Sequence, residues 1–203
     1  NECNQHHKRF FTFHNKKRPY IILKWAETND GLIAPKTKTE QKPVWITNAY
    51  SRQLVHKWRT EEQAILIGTN TVLQDNPSLT ARDWTGQNPI RMVIDRNNKL
   101  SKDYAVFNAQ AKTIIVSKSD IDFNKNISKQ ICDILYKNNI NSIIIEGGAK
   151  TLQSFINENL WDEARVFTGN VQFKNGVEAP RFSGTLISEE TILDNILKIY
   201  KND

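Results

Sequence analysis

The sequence has little cysteine and lacks long apolar runs. Two cysteines in 203 residues are too few for a disulfide framework, so we expect a protein of the reducing cytoplasm. No apolar run approaches the roughly 20 residues that a membrane-spanning helix needs, and we therefore predict no membrane partner. The first segment is polar and begins with Asn1, which resembles neither a signal peptide nor a native start. We expect an excised fragment of a longer chain.

Several functional signatures are also missing. Neither G-x-G-x-x-G nor G-x-x-x-x-G-K-[ST] occurs, which argues against an ordinary Rossmann fingerprint and a P-loop. The H-x-E and P-C-x-x-C pair of zinc deaminases and the G-x-S-x-G of serine hydrolases are absent as well. Cys3, His6 and His7 form only a loose cluster near the start. We predict no metal site.

The charge balance points to an anionic partner. The formal net charge is +6, with 28 Lys and Arg against 22 Asp and Glu. These basic residues are scattered apart from two short clusters near the start, and no aromatic-basic RNA-binding signature accompanies them. We therefore predict a phosphorylated small molecule rather than nucleic acid.

Hydrophobic patterns divide the chain into a leading segment, residues 1–18, and one domain, residues 19–203. The leading segment is predicted to be a linker or the tail of a missing N-terminal domain, and the rest is long enough for a full core. Strands are predicted at 19–26, 64–68, 90–95, 113–117, 142–146 and 163–169, with helices at 48–60, 69–75, 127–139 and 150–160. This alternation predicts an α/β fold with a mostly parallel sheet, whose ligands bind at the carboxyl ends of the strands.

Three local predictions complete the assignment of elements. In the helix 48–60, Asn48 is a plausible cap, and Tyr50, Leu54 and Trp58 recur every four positions as a buried stripe. Thr69 is expected to cap the next helix. Shorter pieces are a turn and strand at 28–34, an extended segment at 43–47, and a closing segment at 191–200 that is either a strand or a helix.

The stretch S-I-I-I-E-G-G-A-K-T-L, residues 142–152, combines a buried strand with a glycine pair. Gly147 and Gly148 remove every side chain where the strand becomes a helix. They allow close approach to the backbone and leave free N–H groups that attract anions. The alternative is a tight turn with an exposed Glu146. The position at the carboxyl end of a strand favours a phosphate site.

The segment G-T-N-T-V-L-Q-D-N-P-S-L-T-A-R, residues 68–82, gathers groups that bind hydroxyls and phosphate in one helix-loop unit. Loops on a rigid scaffold often carry ligand contacts. A capped helix, an Asn-Pro turn and a solvated Arg82 are the simpler interpretation. Arg59 ends the preceding helix, where it is either a partner of the helix dipole or a second phosphate clamp. Both interpretations stay open.

Five stretches occur in this order along the chain: R-P-Y-I-I-L-K-W-A-E-T-N-D-G, W-I-T, the segment 68–82, I-R-M-V-I-D and I-I-I-E-G-G-A-K-T-L. Together they resemble one family. It is the reductase domain of the bifunctional riboflavin-biosynthesis deaminase/reductase, and the likeness runs from Arg18 to the C-terminus. The preceding K-R-F-F-T-F-H-N-K-K-R-P resembles the junction that follows the deaminase domain of that family.

The resemblance implies a dihydrofolate-reductase-like fold, NADPH as hydride donor and a homodimer. The implied substrate is the phosphorylated pyrimidine 5-amino-6-(5-phosphoribosylamino)uracil, whose ribose is reduced at C1′ to a ribityl chain. Asp75 is the catalytic candidate, as a proton donor or as a positioning group. The family pattern places Ala26, Trp45, Thr71, Asp75, Gly148, Ala149, Lys150, Thr151 and Leu152 at the cofactor, and Arg59, Leu79, Arg82 and Glu146 at the substrate. Ser117, with Lys118, is a candidate for the 2′-phosphate of NADPH; the choice between NADPH and NADH stays open.

Two positions depart from the family pattern. Pro43 stands where many members have a serine that touches the substrate, and T-N-D replaces the commoner S-L-D in the first turn. We expect Asp30 and Gly31 to keep that turn. A reductase of another pteridine-like or pyrimidine substrate and a non-catalytic scaffold for the deaminase are the alternatives. Retention of both arginines, Asp75 and E-G-G argues against the scaffold.

Overall fold

The computed structural model describes residues 7–202 and shows strands and helices in alternation. In chain order the elements are α1 (Lys8–Lys16), β1 (Tyr20–Thr28), β2 (Leu32–Pro35), α2 (Ala49–Glu61), β3 (Ala64–Gly68), α3 (Thr69–Asp75), β4 (Ile90–Ile94), a 3-10 turn (Ala105–Phe107), β5 (Thr113–Val116), α4 (Ile127–Lys137), β6 (Ser142–Ile145), α5 (Ala149–Asn157), β7 (Glu163–Gly169), β8 (Gly176–Glu178), β9 (Thr185–Ile192) and β10 (Asn195–Lys201). The α/β prediction is confirmed.

An eight-stranded sheet forms the centre of the domain, in the order β5-β4-β3-β6-β1-β7-β10-β9. The first six strands are parallel to one another, whereas β10 is antiparallel to β7 and β9 is antiparallel to β10. Strands β2 and β8 form a separate two-stranded sheet. The mostly parallel sheet was expected, because β-strands alternated with helices along the sequence.

The central strands are covered on both faces. In β6, Ile143 and Ile145 pack into one hydrophobic cluster while Ile144 packs into the other. All three are at most 1% exposed, which explains why the strand is a continuous apolar run rather than an alternating one. The sheet therefore separates two cores. The carboxyl ends of its strands are left to carry the polar groups of a site.

In helix α2, the predicted buried stripe of Tyr50, Leu54 and Trp58 is wrong at Tyr50. The Asn48 cap is confirmed, since its side chain accepts from the amide of Ser51. Trp58 is buried, but Tyr50 is 62% exposed. A spacing of four overshoots the helical period of 3.6, so each step turns the side chain by about 40° and Tyr50 leaves the buried face.

Two other local predictions need correction. No strand forms at residues 43–47, which run as an irregular segment. Thr69 is the first residue of α3 and not its cap, a position that Gly68 takes without a side-chain bond. The Thr69 hydroxyl instead donates to the Ile94 carbonyl at 2.6 Å, tying α3 to the end of β4.

The closing segment 191–200 is a hairpin rather than one strand. Strand β9 ends at Ile192 and β10 begins at Asn195, with Leu193 in the left-handed region at φ 57°. The Asn195 side chain accepts from the Asn48 amide at 2.8 Å and from the Ser51 hydroxyl at 3.0 Å. The turn is thereby fixed to the start of α2.

Part of the segment predicted as a linker is helical. Helix α1 lies on the domain through an ion pair of Lys8 with Glu163 at 2.5 Å and of Lys16 with Asp162 at 3.2 Å. Phe13 stacks on Tyr136 with a centroid distance of 4.7 Å. Cys3 and His6 lie outside the described residues.

Two features are absent from the part of the chain that the structure describes. Between residues 7 and 202, no helix is long and apolar enough to cross a membrane. Over the same range, no three side chains of His, Cys, Asp and Glu lie close enough to share a metal ion.

Candidate active site

A cavity of about 510 Å³ opens where β3 and β6 end. Parallel sheets bind their ligands here, at the carboxyl ends of their strands. Helices α2 and α3 and the loop after α3 form its walls. Seven of the predicted site residues line it, namely Trp45, Arg59, Thr71, Asp75, Leu79, Arg82 and Glu146.

A buried ion pair lies at the base of the cavity. Arg59 Nη2 donates to Glu146 Oε2 at 2.7 Å, and Arg59 Nη1 donates to the Thr80 carbonyl at 3.1 Å. The other carboxylate oxygen, Glu146 Oε1, is buried without a hydrogen-bond partner among the described residues. Burial opposes ionisation of Glu146, but the charges of Arg59 and Lys24 outweigh it and hold the pKa of the carboxyl below its ordinary value. One oxygen of a carboxylate is thus left for a ligand.

Lys24 also lines this cavity and acts electrostatically on the pair, although the sequence analysis did not single it out. It lies on β1 between the buried Leu23 and Trp25, and its side chain lines the cavity. Burial lowers the pKa of its ammonium group, an effect that Glu146 opposes and Arg59 reinforces. The available signal was one charged residue in the otherwise apolar predicted strand 19–26, since such residues are rarely buried without a role.

His56 is the second cavity residue that the sequence analysis missed. It is 4% exposed and lies one turn before Arg59 on α2. Its Nδ1 accepts from the Asp83 amide at 2.8 Å. Burial, reinforced by the charge of Arg59, lowers the pKa of the imidazole to about 4. The ring is therefore neutral at pH 7.

The loop after α3 has an unusual backbone that shapes the cavity. Leu79 is in the left-handed region at φ 56° and is 2% exposed, packed in the core. A non-glycine residue there is strained and persists only where its surroundings hold it. The exposed Arg82 follows and donates to the Ser78 hydroxyl. The loop thereby brings the Arg82 guanidinium to the rim of the cavity, and Leu79 anchors the loop in the core.

A segment that we call the strap, residues 36–47, closes one side of the cavity. Lys38 forms an ion pair with Asp75, and Gln41 donates to the Leu73 carbonyl at 2.7 Å. Trp45 is 56% exposed and has the Arg52 guanidinium 4.7 Å from its ring centre. Asp75 therefore fastens the strap to the end of α3.

The start of α5 lies beside the cavity. The Gly148 amide donates to the Thr71 hydroxyl at 3.2 Å, and no side chain caps the first turn. A Cβ at Gly148 would meet only Thr71 Oγ1, at 3.7 Å, whereas one at Gly147 would lie 2.6 Å from Thr151 Cβ. Gly147 is needed for packing, and Gly148 leaves an open backbone surface next to the free amides of the helix start.

The remaining predicted residues lie elsewhere. Leu152 is fully buried in the core, and Ala26 packs against the second cluster. Lys150 is exposed on the first turn of α5 beside Ala149, and Thr151 contacts the two glycines at positions 68 and 147. The Ser117 hydroxyl donates to Asp120 at 2.8 Å.

A second groove, of about 570 Å³, follows the ends of β4 and β5. Arg96 and Lys118 line it together with Ser119 and two carboxylates, Asp120 and Asp122. The Ser117 hydroxyl is already bound to one of those carboxylates, so the basic groups available to an anion are Arg96 and Lys118.

The mostly parallel sheet with its antiparallel hairpin defines an α/β domain with a dihydrofolate-reductase-like fold, which carries an open helix start and a basic cavity. Comparison with known families then gives the particular one. The chain belongs to the RibD C-terminal domain family, whose model matches residues 19–173.

Two relatives illustrate the family. The riboflavin biosynthesis protein RibD of Aquifex aeolicus is 34% identical over 82% of this chain and 50% of its own length. A protein of Archaeoglobus fulgidus named 2,5-diamino-6-ribosylamino-4(3H)-pyrimidinone 5′-phosphate reductase is 26% identical over 80% of this chain and 85% of its own. The chain thus spans about half the length of the RibD relative.

Solved structures agree on the fold. A deaminase/5-amino-6-(5-phosphoribosylamino)uracil reductase of Thermotoga maritima superposes with a TM-score of 0.84 at 29% identity, over 97% of this chain and 60% of that one. A dihydrofolate reductase of Enterococcus faecalis superposes with a TM-score of 0.57 over 91% of this chain and 97% of its own, at 11% identity, which shows the fold alone.

Proposed function

We propose that this domain reduces the ribose of 5-amino-6-(5-phosphoribosylamino)uracil to the ribityl form with NADPH. The observation that carries the proposal is the unpartnered Glu146 Oε1, buried beside Lys24 at the base of a basic cavity. A polyhydroxylated, phosphorylated ligand satisfies both features. The relatives named for riboflavin biosynthesis and for a pyrimidinone 5′-phosphate reductase support the choice of substrate class.

The chain has surfaces that fit the cofactor. The open backbone at Gly148 and the free amides of Ala149 and Lys150 suit a pyrophosphate, and Thr71 lies alongside. Arg96 and Lys118 in the second groove suit the additional 2′-phosphate that distinguishes NADPH from NADH. When bound, NADPH supplies a hydride, and the protein supplies position and electrostatics.

The other cavity residues have separate roles in this proposal. Arg82 binds the ribose phosphate at the rim, and Glu146 Oε1 accepts from ribose hydroxyls. Lys24 holds a proton on Nζ close to the reacting centre, where an ammonium with a lowered pKa is a better acid than a free lysine. Arg59 keeps Glu146 in place. Asp75, already paired with Lys38, serves as a positioning group for the strap rather than as the proton donor.

The partners that we propose follow from the family and the surface. A deaminase domain joined to this one is consistent with the half-length match to RibD. A homodimer is consistent with exposed apolar residues around the outer hairpin, at Leu186, Ile187 and Leu193. A cytoplasmic location stays a prediction.

The test is steady-state turnover of 5-amino-6-(5-phosphoribosylamino)uracil with NADPH by the wild type and Lys24→Met. Methionine keeps the length and removes the charge, so we expect kcat to fall about 10²- to 10⁴-fold with NADPH affinity unchanged. Exposed Lys137→Met is the control. A Lys24→Met enzyme with wild-type kcat would exclude Lys24 as the acid, and NADPH binding without turnover by the wild type would point to another substrate.

A further inference from the structure

His56 lies in the cavity wall and has no part in the mechanism above. It is buried on α2 one turn before Arg59, and its ring lines the cavity. The charged groups that act on it are Arg59, Arg82, Asp83 and Glu146. One of these, Arg82, is the residue proposed to bind the ribose phosphate.

The hydrogen bonding of the ring fixes its tautomer. Nδ1 accepts from the Asp83 amide at 2.8 Å, so this nitrogen carries no hydrogen. The pKa of about 4 keeps the ring neutral at pH 7. In a neutral imidazole with Nδ1 as acceptor, Nε2 carries the hydrogen and is a donor.

The donor nitrogen faces the cavity. No hydrogen bond joins Nε2 to any described residue, and Nε2 is not among the buried polar atoms without a partner. An atom that is neither hydrogen-bonded nor fully buried keeps some accessible surface, and the 4% exposed ring lines the cavity. The N–H of His56 is therefore free for a ligand.

We propose that His56 is a phosphate-binding residue, whose neutral Nε2–H donates to a phosphate oxygen that Arg82 also binds. The inference rests on the proposed function, because it takes the ribose phosphate as the ligand. A neutral donor adds a hydrogen bond to a phosphate dianion without placing a further cation beside Arg59 and Arg82. Its other nitrogen holds the Asp83 amide, so one ring joins the ligand to the loop that carries Arg82.

Kinetics with two substrates separates phosphate binding from anchoring of the loop. We compare 5-amino-6-(5-phosphoribosylamino)uracil with its counterpart that lacks the phosphate. His56→Leu should raise KM for the phosphorylated substrate about 10- to 100-fold, the range for a hydrogen bond to a charged group, with kcat nearly unchanged. The KM of the dephosphorylated substrate should change less than about threefold. His56→Gln, whose amide can accept and donate like the ring, should recover most of the loss.

Equal losses for the two substrates in folded His56→Leu would show that His56 only anchors the loop and would overturn the proposal. An unchanged KM for both would overturn it as well. If the wild type turns over neither substrate, the proposed function fails, and a second measurement still decides the role of His56.

That measurement is nitrogen NMR of the His56 ring, with inorganic phosphate as the probe and no reaction needed. We expect the Nε2–H tautomer at pH 7 and a shift of the Nε2 resonance on addition of phosphate, lost in Arg82→Ala. An Nδ1–H tautomer, or a resonance that phosphate does not move up to its solubility limit, would overturn the proposal.

Discussion

Arg59 and Arg82 reach the same cavity in different surroundings. Arg59 is 9% exposed and is bonded to Glu146 and the Thr80 carbonyl, whereas Arg82 is exposed and donates to the Ser78 hydroxyl. Breaking a buried ion pair leaves an uncompensated charge and costs about 3–5 kcal/mol. An exposed arginine contributes little to stability. The two residues can therefore be separated by experiment.

We predict that Arg82→Ala lowers kcat/KM about 10- to 100-fold, because a hydrogen bond to a charged group contributes about 1.5–3 kcal/mol. Its thermal stability and NADPH affinity should stay those of the wild type. Arg82→Lys keeps the charge without the donor fork and should recover only part of the loss. Arg59→Ala should lower both activity and the free energy of unfolding. A fall in NADPH affinity with unchanged substrate KM would assign Arg82 to the cofactor.

At this scale, the residues that could be named from the sequence are those of recognisable motifs. Arg59, Arg82, Asp75 and Glu146 all line one cavity, and their roles stay predictions. Lys24 was missed because its neighbours on β1 are apolar and only the folded sheet shows that its amine ends in a cavity. The Lys38 partner of Asp75 depends on the path of an irregular segment, which local patterns do not encode.

Among the elements, the start of α5 contains two adjacent glycines that have different roles. Gly147 has no room for a Cβ, while Gly148 faces open space at φ −61°, a conformation that any residue adopts. A substitution at the first position should therefore disturb the fold, and one at the second should disturb only what binds there.

We predict that Gly148→Ala folds normally and weakens NADPH binding about tenfold or more, because the added methyl group occupies the approach to the helix amides. Gly147→Ala should lower the free energy of unfolding by about 1–3 kcal/mol. The measurements are NADPH fluorescence titration and denaturant unfolding of both variants. If folded Gly148→Ala binds NADPH like the wild type, the pyrophosphate lies elsewhere.

Helix α1 offers a second prediction about an element. Phe13 is 9% exposed and packs on Tyr136, whereas Phe10, one turn earlier, is 53% exposed. Phe13→Ala should cost about 3 kcal/mol of unfolding free energy. Phe10→Ala is the matched control and should stay within about 0.5 kcal/mol of the wild type. Equal stability of the two variants would mean that α1 contributes nothing to the fold.

Element types were predictable where local signals were strong, as in the continuous apolar run of β6 and the Asn48 cap of α2. The hairpin of β9 and β10 was missed because Leu193 and Asp194 are not a typical turn pair, and the turn is fixed by the distant Asn48. Helix α1 was missed for a related reason. Its mean composition is polar, and it is held by ion pairs to Glu62, Glu163 and Asp162 that arise only in the folded domain.

Across the whole molecule, buried carboxylates link stability to pH. Burial opposes the charge of Glu163, but Arg165 and Lys8 outweigh it and lower the pKa to about 2 from an ordinary 4.5. As the pH falls, the unfolded chain therefore takes up this proton first. The stability that Glu163 supplies, on the order of 3 kcal/mol, is complete above pH 4.5 and is lost toward pH 2.

We predict that the gap in unfolding free energy between the wild type and Glu163→Gln narrows as the pH falls from about 4.5 to 2. Above pH 5 the gap should be constant. Urea unfolding across this range measures it, with exposed Glu190→Gln as the control. A gap that stays constant down to pH 2 would show that Glu163 is not held ionised by Arg165 and Lys8.

The succession Glu146-Gly147-Gly148 has a mechanical consequence. The acid of the proposed substrate site and the open backbone proposed for the cofactor are two residues apart on one chain, directly after β6 in the middle of the sheet. Covalent geometry limits how far apart they can move when helices shift or the strap moves. Warming, or closure of the strap, should therefore change how fast the two proposed ligands arrive more than it changes their mutual spacing.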